Sequence, residues 1–476
     1  MLHPLLYLYA STPIAPNSTL SQALAGLDAK GLIFHQTKTQ GAIYTMTRSM
    51  IGDILKKEVK TAEVWGWIKR KRDFKGTLIW LLRDGSGEMQ AVLSSEAITD
   101  KKAYESARKA LMESSIKVWG TIKSDERAPG GKEMQVEKVE VLHAGDEFPI
   151  GKDLSEEFLL DVRHLWLRST KMQQGMKASS LVFEAFHEYC KKTGYLEVQC
   201  PMFVSGAVEG GSELFEVDYF GKKAFLTQSS QFYLEVYAHA LEKVYTLAPS
   251  FRAEPSRTRR HLTEFWHAEW ETAFTHLDDL LEWEEGMIKF ITQYVLDHGK
   301  EQLAYFGRDP KTLEKIVKSK FQRFTYDEAF KVAQKKFPEL KWGDDLQEMH
   351  EREITKDFDV PIIVHHYPTV LKPFYHRPDP KRPETVLCAD MLAPEGYGEI
   401  IGSGERCWTY EELSSRMKEA KLKEKDYQWY VDLRKYGSVP HTGGGLGLSR
   451  LTMWLFKMDH IRDAVGFPRT MNRIVP

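Results

Sequence analysis

The sequence has little cysteine. The four thiols in 476 residues, Cys190, Cys200, Cys388 and Cys407, form no CxxC pair. That excludes a disulfide scaffold and a cysteine-rich zinc module, and it suits free thiols in a reducing, cytoplasmic compartment. Charge of one sign is also lacking. Lys+Arg 66 against Asp+Glu 68 leaves a net charge of −2, so no global basic field advertises nucleic acid, and such a partner must be met by a local surface. No apolar run approaches the ~18 residues that would suggest a membrane span. There is no repeat period and no low-complexity tract. The apolar N-terminus has no positive n-region, and the first 49 residues hold one acid, Asp28, and too few arginines for a transit peptide. These residues read as an extension or an upstream start, with Met46 or Met50 as a sensible first residue.

What is present begins at Met50. Short β-rich runs at Val64–Ile68, Thr77–Leu82, Met89–Leu93, Ile116–Ile122 and Met134–Leu142 are separated by turn chemistry (Asp84-Gly85-Ser86-Gly87; Ala128-Pro129-Gly130-Gly131) and by one helical stretch around Lys101–Ser114. Five strands and a helix in about a hundred residues predict a small Greek-key barrel of the OB type. The run Lys69-Arg70-Lys71-Arg72 beside Trp65, Trp67, Phe74 and Trp80 fits a face for single-stranded nucleic acid, as it also fits a solvated charge run beside core aromatics. A polar connector, Gly145–Ser155, precedes a long region that alternates helices and strands. Within it, the stripe Leu277, Leu280, Leu281, Glu284, Met287, Ile288, Ile291, Tyr294 and Val295 predicts a helix stopped at Gly299. Thr325 with Glu328 is a capping box opening another.

Val244–Glu271 carries the most chemistry. It reads as strand, polar loop, strand. Arg252 and Glu254 are placed on one face of the first strand, and Phe265, His267, Glu269 and Glu271 on one face of the second. A guanidinium, a carboxylate and an aromatic plate on one surface are what a nucleotide needs: a fork for phosphate, an acceptor for an exocyclic amine and a stacking face. The loop adds Arg257, Arg259, Arg260 and His261, within reach of outer phosphates. Gly443, Gly445 and Gly447 alternate before Arg450, which is not the dinucleotide GxGxxG; alternation lets backbone or ligand approach a strand closely, and Arg450 at a helix start favours phosphate. Asp390 and Glu399 are two acids suited to Mg²⁺, which takes one or two carboxylates plus substrate oxygens. The spacing of His365, His366 and His376 matches no standard zinc site.

Taken in order, these residues resemble the class II aminoacyl-tRNA synthetases of the aspartate/asparagine subclass, from about Met50 to Pro476. Motif 1 resembles Gly194–Pro201 (GYLEVQCP), motif 2 Phe251–Phe265 with its strand running to Glu271, and motif 3 Gly443–Arg450 (GGGLGLSR). Flanking matches are Asp161–Arg168, Glu209-Gly210-Gly211, Gly398–Ile401 and Tyr436–His441. The resemblance implies an α+β fold, an antiparallel sheet flanked by helices, with an N-terminal OB-fold barrel. It divides the chain into an extension (1–49), an anticodon-binding barrel (50–145), a hinge (146–170) and a catalytic domain (171–476). It implies ATP as substrate, Mg²⁺ as cofactor, a homodimer with Pro201 at its two-fold interface, and tRNA as partner. Residue by residue, Arg252 would bind the α-phosphate, Glu254 and Phe265 the adenine, and His261 and Arg450 the outer phosphates, with Arg252 and Arg450 catalytic. Asp390 and Glu399 would hold the metal. Glu209, Gln231, Glu269, Arg406 and His441 would meet the amino acid. Gln90, with Trp80, Lys69 and Arg70, would meet the anticodon.

Asparagine is favoured over aspartate, and tRNA(Asn) with it. Aspartate enzymes of the subclass carry Gln-x-x-Lys followed by an Asp on motif 2. Here the segment is Gln231-Phe232-Tyr233-Leu234, and the later position is Glu269. A carboxylate without the lysine repels an aspartate side chain and accepts from an amide NH₂. Three features depart from the family: Ser449 replaces an acid before the motif 3 arginine, Gly402-Ser403-Gly404 replaces Gly-Gly-Ser, and Ile79 falls where relatives stack an anticodon base on Phe. The competing readings are an aspartate-specific member, a tRNA-independent asparagine-forming relative (which lacks the barrel), and a non-catalytic RNA-binding protein on the same fold.

Overall fold

The computed structural model describes residues 48–151, 154–206, 214–254 and 258–476. The expected extension, except Arg48 and Ser49, and the substrate-loop residue Glu209 lie outside the described residues. The chain divides into two compact units, 1–149 and 150–476.

The first unit is a closed barrel of β1 (Thr61–Phe74), β2 (Thr77–Arg83), β3 (Glu88–Ser94), β4 (Ser115–Ser124) and β5 (Lys132–His143), in the order β1-β2-β3-β5-β4. Strict alternation drives it. Val64, Ile68, Leu78, Trp80, Leu82, Met89, Ala91, Leu93, Ile116, Val118, Met134 and Val136 all point inward and are buried together. Trp80 is therefore core, and its assignment to the anticodon face is corrected: a side chain sealed inside the barrel has no surface to offer a base. The basic run also divides. Lys69 pairs with Glu88, and Lys71 donates to the carbonyls of Arg108 and Ala110. Lys71 thereby caps the helix Lys101–Lys109, which ends five residues before the expected Ser114. Arg70 is exposed. Gln90 stays on the outer face, opposite Leu81, its amide donating to Glu133 at 2.8 Å.

The second unit is built on an eight-stranded sheet. Its strands are β6 (Leu196–Glu197), β10 (Lys243–Phe251), β11 (Glu264–Ala273), β12 (Gln322–Thr325), β13 (Ile362–His365), β16 (Cys388–Ala393), β17 (Gly398–Glu405) and β18 (His441–Gly447). Three shorter strands, β7 (Phe203–Val204), β8 (Glu216–Tyr219) and β9 (Lys222–Leu226), form a separate sheet, and β14 (Pro378–Asp379) pairs with β15 (Arg382–Val386). The large sheet runs β12-β13-β16-β17-β18-β11-β10-β6 and is antiparallel except at its two ends. Helices Thr170–Lys192, Leu277–His298 and Leu448–Leu455 bury one face of it in a single apolar cluster. The predicted stripe from Leu277 forms the second of these helices, closed by Gly299. Thr325 and Glu328 make the predicted capping box on the helix Tyr326–Gln334.

Candidate active site

The other face of the sheet carries the cleft. β18 pairs with β11 so that Gly447, Gly445 and Gly443 lie opposite His267, Glu269 and Glu271. Two of these glycines, Gly443 and Gly445, are required by this pairing. A Cβ on Gly443 would stand 2.0 Å from Glu271 Oε2, and one on Gly445 would stand 2.3 Å from His267 Nε2. The polar side chains of motif 2 thus lie over bare backbone. Two adjoining hollows result, of about 730 and 1460 Å³, which share Arg252, Arg260, His261, His267, Glu399 and Gly445.

The smaller hollow gathers Arg252, Glu254, His261, Phe265 and Arg450, the residues assigned to ATP, together with Glu399 of the metal pair. β10 ends at Phe251, so Arg252 and Glu254 lie just beyond the strand rather than on it as expected. Arg252 keeps its place because its backbone N–H donates to Thr263 O at 2.9 Å, and its guanidinium lies 5.4 Å from the centre of the Phe265 ring. Burial, with Arg450 and Arg260 close by, holds the His261 pKa down to about 4, so at neutral pH it is an uncharged ring. Arg450 lies in the first turn of the helix Leu448–Leu455, its Nη1 3.3 Å from Glu399 O and 3.7 Å from Glu399 Oε2. Two loop arginines are engaged elsewhere: Arg260 Nη1 donates to Glu351 at 2.7 Å, and Arg259 Nη2 to Gly396 O at 2.7 Å. Neither is a free phosphate ligand in this arrangement.

The larger hollow gathers Gln231, Leu234, Glu269, Lys372, Asp390 and Arg406. Glu269 accepts from the Ser229 hydroxyl and from the Ser230 backbone N–H at 2.9 Å; burial raises its pKa. Arg406 is held by Glu271 through two hydrogen bonds of 3.0 and 2.9 Å, with both side chains almost wholly out of solvent. Burial works against the guanidinium's charge, but Glu271 outweighs it and the Arg406 pKa is raised. Leu234 packs with Val198, Cys200, Ala238 and Val244.

Asp390 and Glu399 converge over Gly402, where a Cβ would lie 3.7 and 3.5 Å from their oxygens. Lys372 Nζ donates to both oxygens of Asp390, at 2.8 and 2.6 Å. Among the described residues no group of three or more His, Cys, Asp or Glu side chains is placed to hold a metal ion.

His441 is corrected. It is fully buried; Nδ1 donates to Val439 O at 2.7 Å and Nε2 lies 3.0 Å from Glu235 Oε2, so neither nitrogen faces the cleft. Sequence reasoning missed Glu235, Arg434 and Tyr430, which join His441 in a buried cluster, and also Lys372. The i,i+4 spacing of Gln231 and Glu235 on the helix Gln231–Leu241 was the one available signal for Glu235. Nothing in its neighbours marks Lys372.

Known proteins place this site. Residues 155–471 match the family of class II tRNA synthetases (D, K and N), and residues 63–142 match the OB-fold nucleic acid binding domain. The asparagine–tRNA ligase of Thermoplasma acidophilum is 49% identical over 411 residues, covering 86% of this chain and 95% of that protein. That of Thermococcus gammatolerans is 48% identical over 419 residues, 88% and 97% of the two. The asparaginyl-tRNA synthetase of Pyrococcus horikoshii complexed with asparaginyl-adenylate superposes with a TM-score of 0.87 at 44% identity, covering 91% of this chain and all of that one. The Entamoeba histolytica asparaginyl-tRNA synthetase superposes at 0.81 and 33%, covering 88% and 98%. With its sheet, its motif residues and these likenesses in agreement, the chain belongs to the class II tRNA synthetases of the D, K and N group, alongside the asparagine–tRNA ligases.

Proposed function

We propose that this chain activates L-asparagine with ATP, forming asparaginyl-adenylate and pyrophosphate, and then transfers asparagine to the 3′ end of tRNA(Asn). The observation that carries the choice of amino acid is the larger hollow. Glu269 is held as an acceptor by Ser229 and Ser230, Arg406 stands on the same wall, and Leu234 supplies no cation to answer an aspartate carboxylate. An amide offers its oxygen to the arginine and its NH₂ to the glutamate. An aspartate would bring a second anion to a buried carboxylate, at a cost of several kcal/mol.

In this reading Phe265 stacks on adenine while Glu254 accepts from its amine, and Arg252 clamps the α-phosphate. Arg450 as a cation and His261 as a neutral donor hold the outer phosphates. The asparagine carboxylate, already an anion at neutral pH, attacks the α-phosphorus; a carboxyl O–P bond forms, the Pα–O–Pβ bond breaks, and pyrophosphate leaves. No general base is needed, so catalysis is alignment plus charge stabilisation by Arg252 and Arg450. The terminal ribose hydroxyl of tRNA then attacks the adenylate carbonyl and AMP leaves. Asp390 and Glu399 would hold Mg²⁺, whose contribution when bound is to neutralise phosphate charge. The donor set fits: two carboxylates suffice for an ion that completes its shell from phosphate oxygens and water, and Lys372 already balances one of them.

Further parts of the reading rest on surfaces. Leu196 on edge strand β6 and Leu241 at the end of the neighbouring helix are large apolar groups left about half exposed beside motif 1, which supports a homodimer formed there around Pro201. Gln90, Lys69 and Arg70 on the barrel's outer face are the anticodon candidates that remain. The four cysteines are free and buried, as in proteins of a reducing compartment such as the cytoplasm, and no described helix is long and apolar enough to cross a membrane. The test is charging: a tRNA(Asn) transcript should accept labelled asparagine and not aspartate. Failure to charge it, with the chain folded and ATP and Mg²⁺ present, would overturn the proposal.

A further inference from the structure

A buried carboxylate with four bonding partners lies outside the cleft. Glu235 is fully enclosed behind the wall that faces the amino-acid end. It accepts from Gln231 Nε2 at 3.1 Å, from the Tyr430 hydroxyl at 2.9 Å and from Arg434 Nη2 at 2.5 Å, and His441 Nε2 lies 3.0 Å away. The Arg434 Nε donates to Cys407 O at 2.8 Å and His441 Nδ1 to Val439 O, so both side chains are themselves anchored. Of the side chains bonded to Glu235, Gln231 alone lines the larger hollow. An ionised carboxylate accepts only, so the part of the Gln231 amide facing Glu235 is its NH₂. Its carbonyl oxygen is then the atom turned to the cleft. The same turn links this amide to the side-chain pocket: Gln231 N donates to Ser229 Oγ at 3.1 Å, and Ser229 donates to Glu269.

We infer that Glu235 is a positioning residue: it fixes the Gln231 amide with its oxygen toward the cleft, making that wall an acceptor for the ammonium group of the amino acid. The inference rests on the asparagine reading above. Without Glu235 the amide can turn over and present NH₂ to a cation, so recognition of the ammonium is lost while recognition of the side-chain amide and of ATP is kept. Arg434 and Tyr430 act through Glu235 by holding its carboxylate still. They also oblige it to stay ionised, since a protonated Glu235 would leave the Arg434 charge unanswered in the interior.

The experiment compares asparagine with succinamate, which is asparagine without its ammonium group. In Glu235→Gln, KM for asparagine in pyrophosphate exchange should rise about tenfold, the size of one lost hydrogen bond to a charged group. KM for ATP and the inhibition constant of succinamate should stay within about twofold. In a Gln231→Met background, Glu235→Gln should add nothing to the asparagine KM, because the group through which it acts is gone. Should the Gln variant not fold, Glu235→Asp carries the same test, since it keeps a charge opposite Arg434 but ends one methylene short of Gln231. Equal weakening of asparagine and succinamate, or an undiminished effect in the Gln231→Met background, would overturn the inference and leave Glu235 a purely structural hub. A wild-type chain that exchanges with no asparagine at all would remove the underlying reading first, and this inference with it.

Discussion

Replacing Glu271 by Gln removes the charge that holds Arg406. The side chains are about 0% and 3% exposed and share two hydrogen bonds of 3.0 and 2.9 Å. With charge centres about 4 Å apart and an effective dielectric constant near 20, the attraction is about 4 kcal/mol. Breaking one side of a buried pair costs about 3–5 kcal/mol, because the remaining charge is stranded. Arg406 has no escape by deprotonation, since an arginine stays protonated. At ~2 °C per kcal/mol for a domain of this size, Tm should fall by about 6–10 °C. Activity should fall further than stability explains. A guanidinium that loses its fork no longer meets the amide oxygen in one orientation, and kcat/KM for asparagine should drop about 100-fold, as when a fixed charge is lost from a site. The assay is thermal unfolding alongside pyrophosphate exchange at saturating ATP. The exposed pair Lys315–Asp359 is the control; Lys315→Ala should cost less than about 1 kcal/mol. A Glu271→Gln variant with unchanged Tm and unchanged kcat/KM would refute the reasoning.

Three other outcomes follow from the same structure. Arg252→Ala should lower adenylate formation about 100-fold or more with Tm unchanged, since it removes a phosphate clamp and no core packing; activation at the wild-type rate would take Arg252 out of the mechanism. Glu284 is buried with Ser403 as a partner, and burial raises its pKa to about 8. Below its ordinary value of 4.5 it is protonated folded or unfolded, and stability is unaffected; as pH rises from there to about 8 only the unfolded chain ionises, so stability falls, and above 8 the loss is constant. Glu284→Gln should therefore equal the wild type near pH 4.5 and exceed it by a few kcal/mol (order of magnitude) at pH 8, and a gain that does not grow with pH in thermal melts would refute this. Leu234→Lys with Glu269→Asp should shift the asparagine-to-aspartate ratio of kcat/KM toward aspartate, each single change mainly damaging activity; a double variant with comparable activity and the wild-type ratio would show that these two positions do not set specificity.

Most of the cleft was legible because motif 2 and the glycine strand are local patterns. Alternation placed Phe265, His267, Glu269 and Glu271 on one face, and the glycines of 443–447 signalled the close approach that the β11–β18 pairing requires. The barrel strands were legible for the same reason. What escaped the sequence is long-range. Arg406 meets Glu271 across 135 residues, and Glu235 meets His441 across 206, and neither pair has a local signature. His441 was therefore assigned to the substrate when it serves a carboxylate behind the wall. Lys71 looked like part of a nucleic-acid patch because a helix end that needs a donor lies almost forty residues away in the chain. Trp80 shows the limit of composition: an aromatic beside basic residues suggests stacking, but strand parity sends it into the barrel.

The most direct test is ATP–pyrophosphate exchange by the purified chain with asparagine and with aspartate, without tRNA. The account predicts exchange that depends on asparagine, with aspartate supporting less than about 1% of it, because a buried unpaired anion costs several kcal/mol. Exchange with aspartate at a comparable rate, or with neither amino acid, would contradict it.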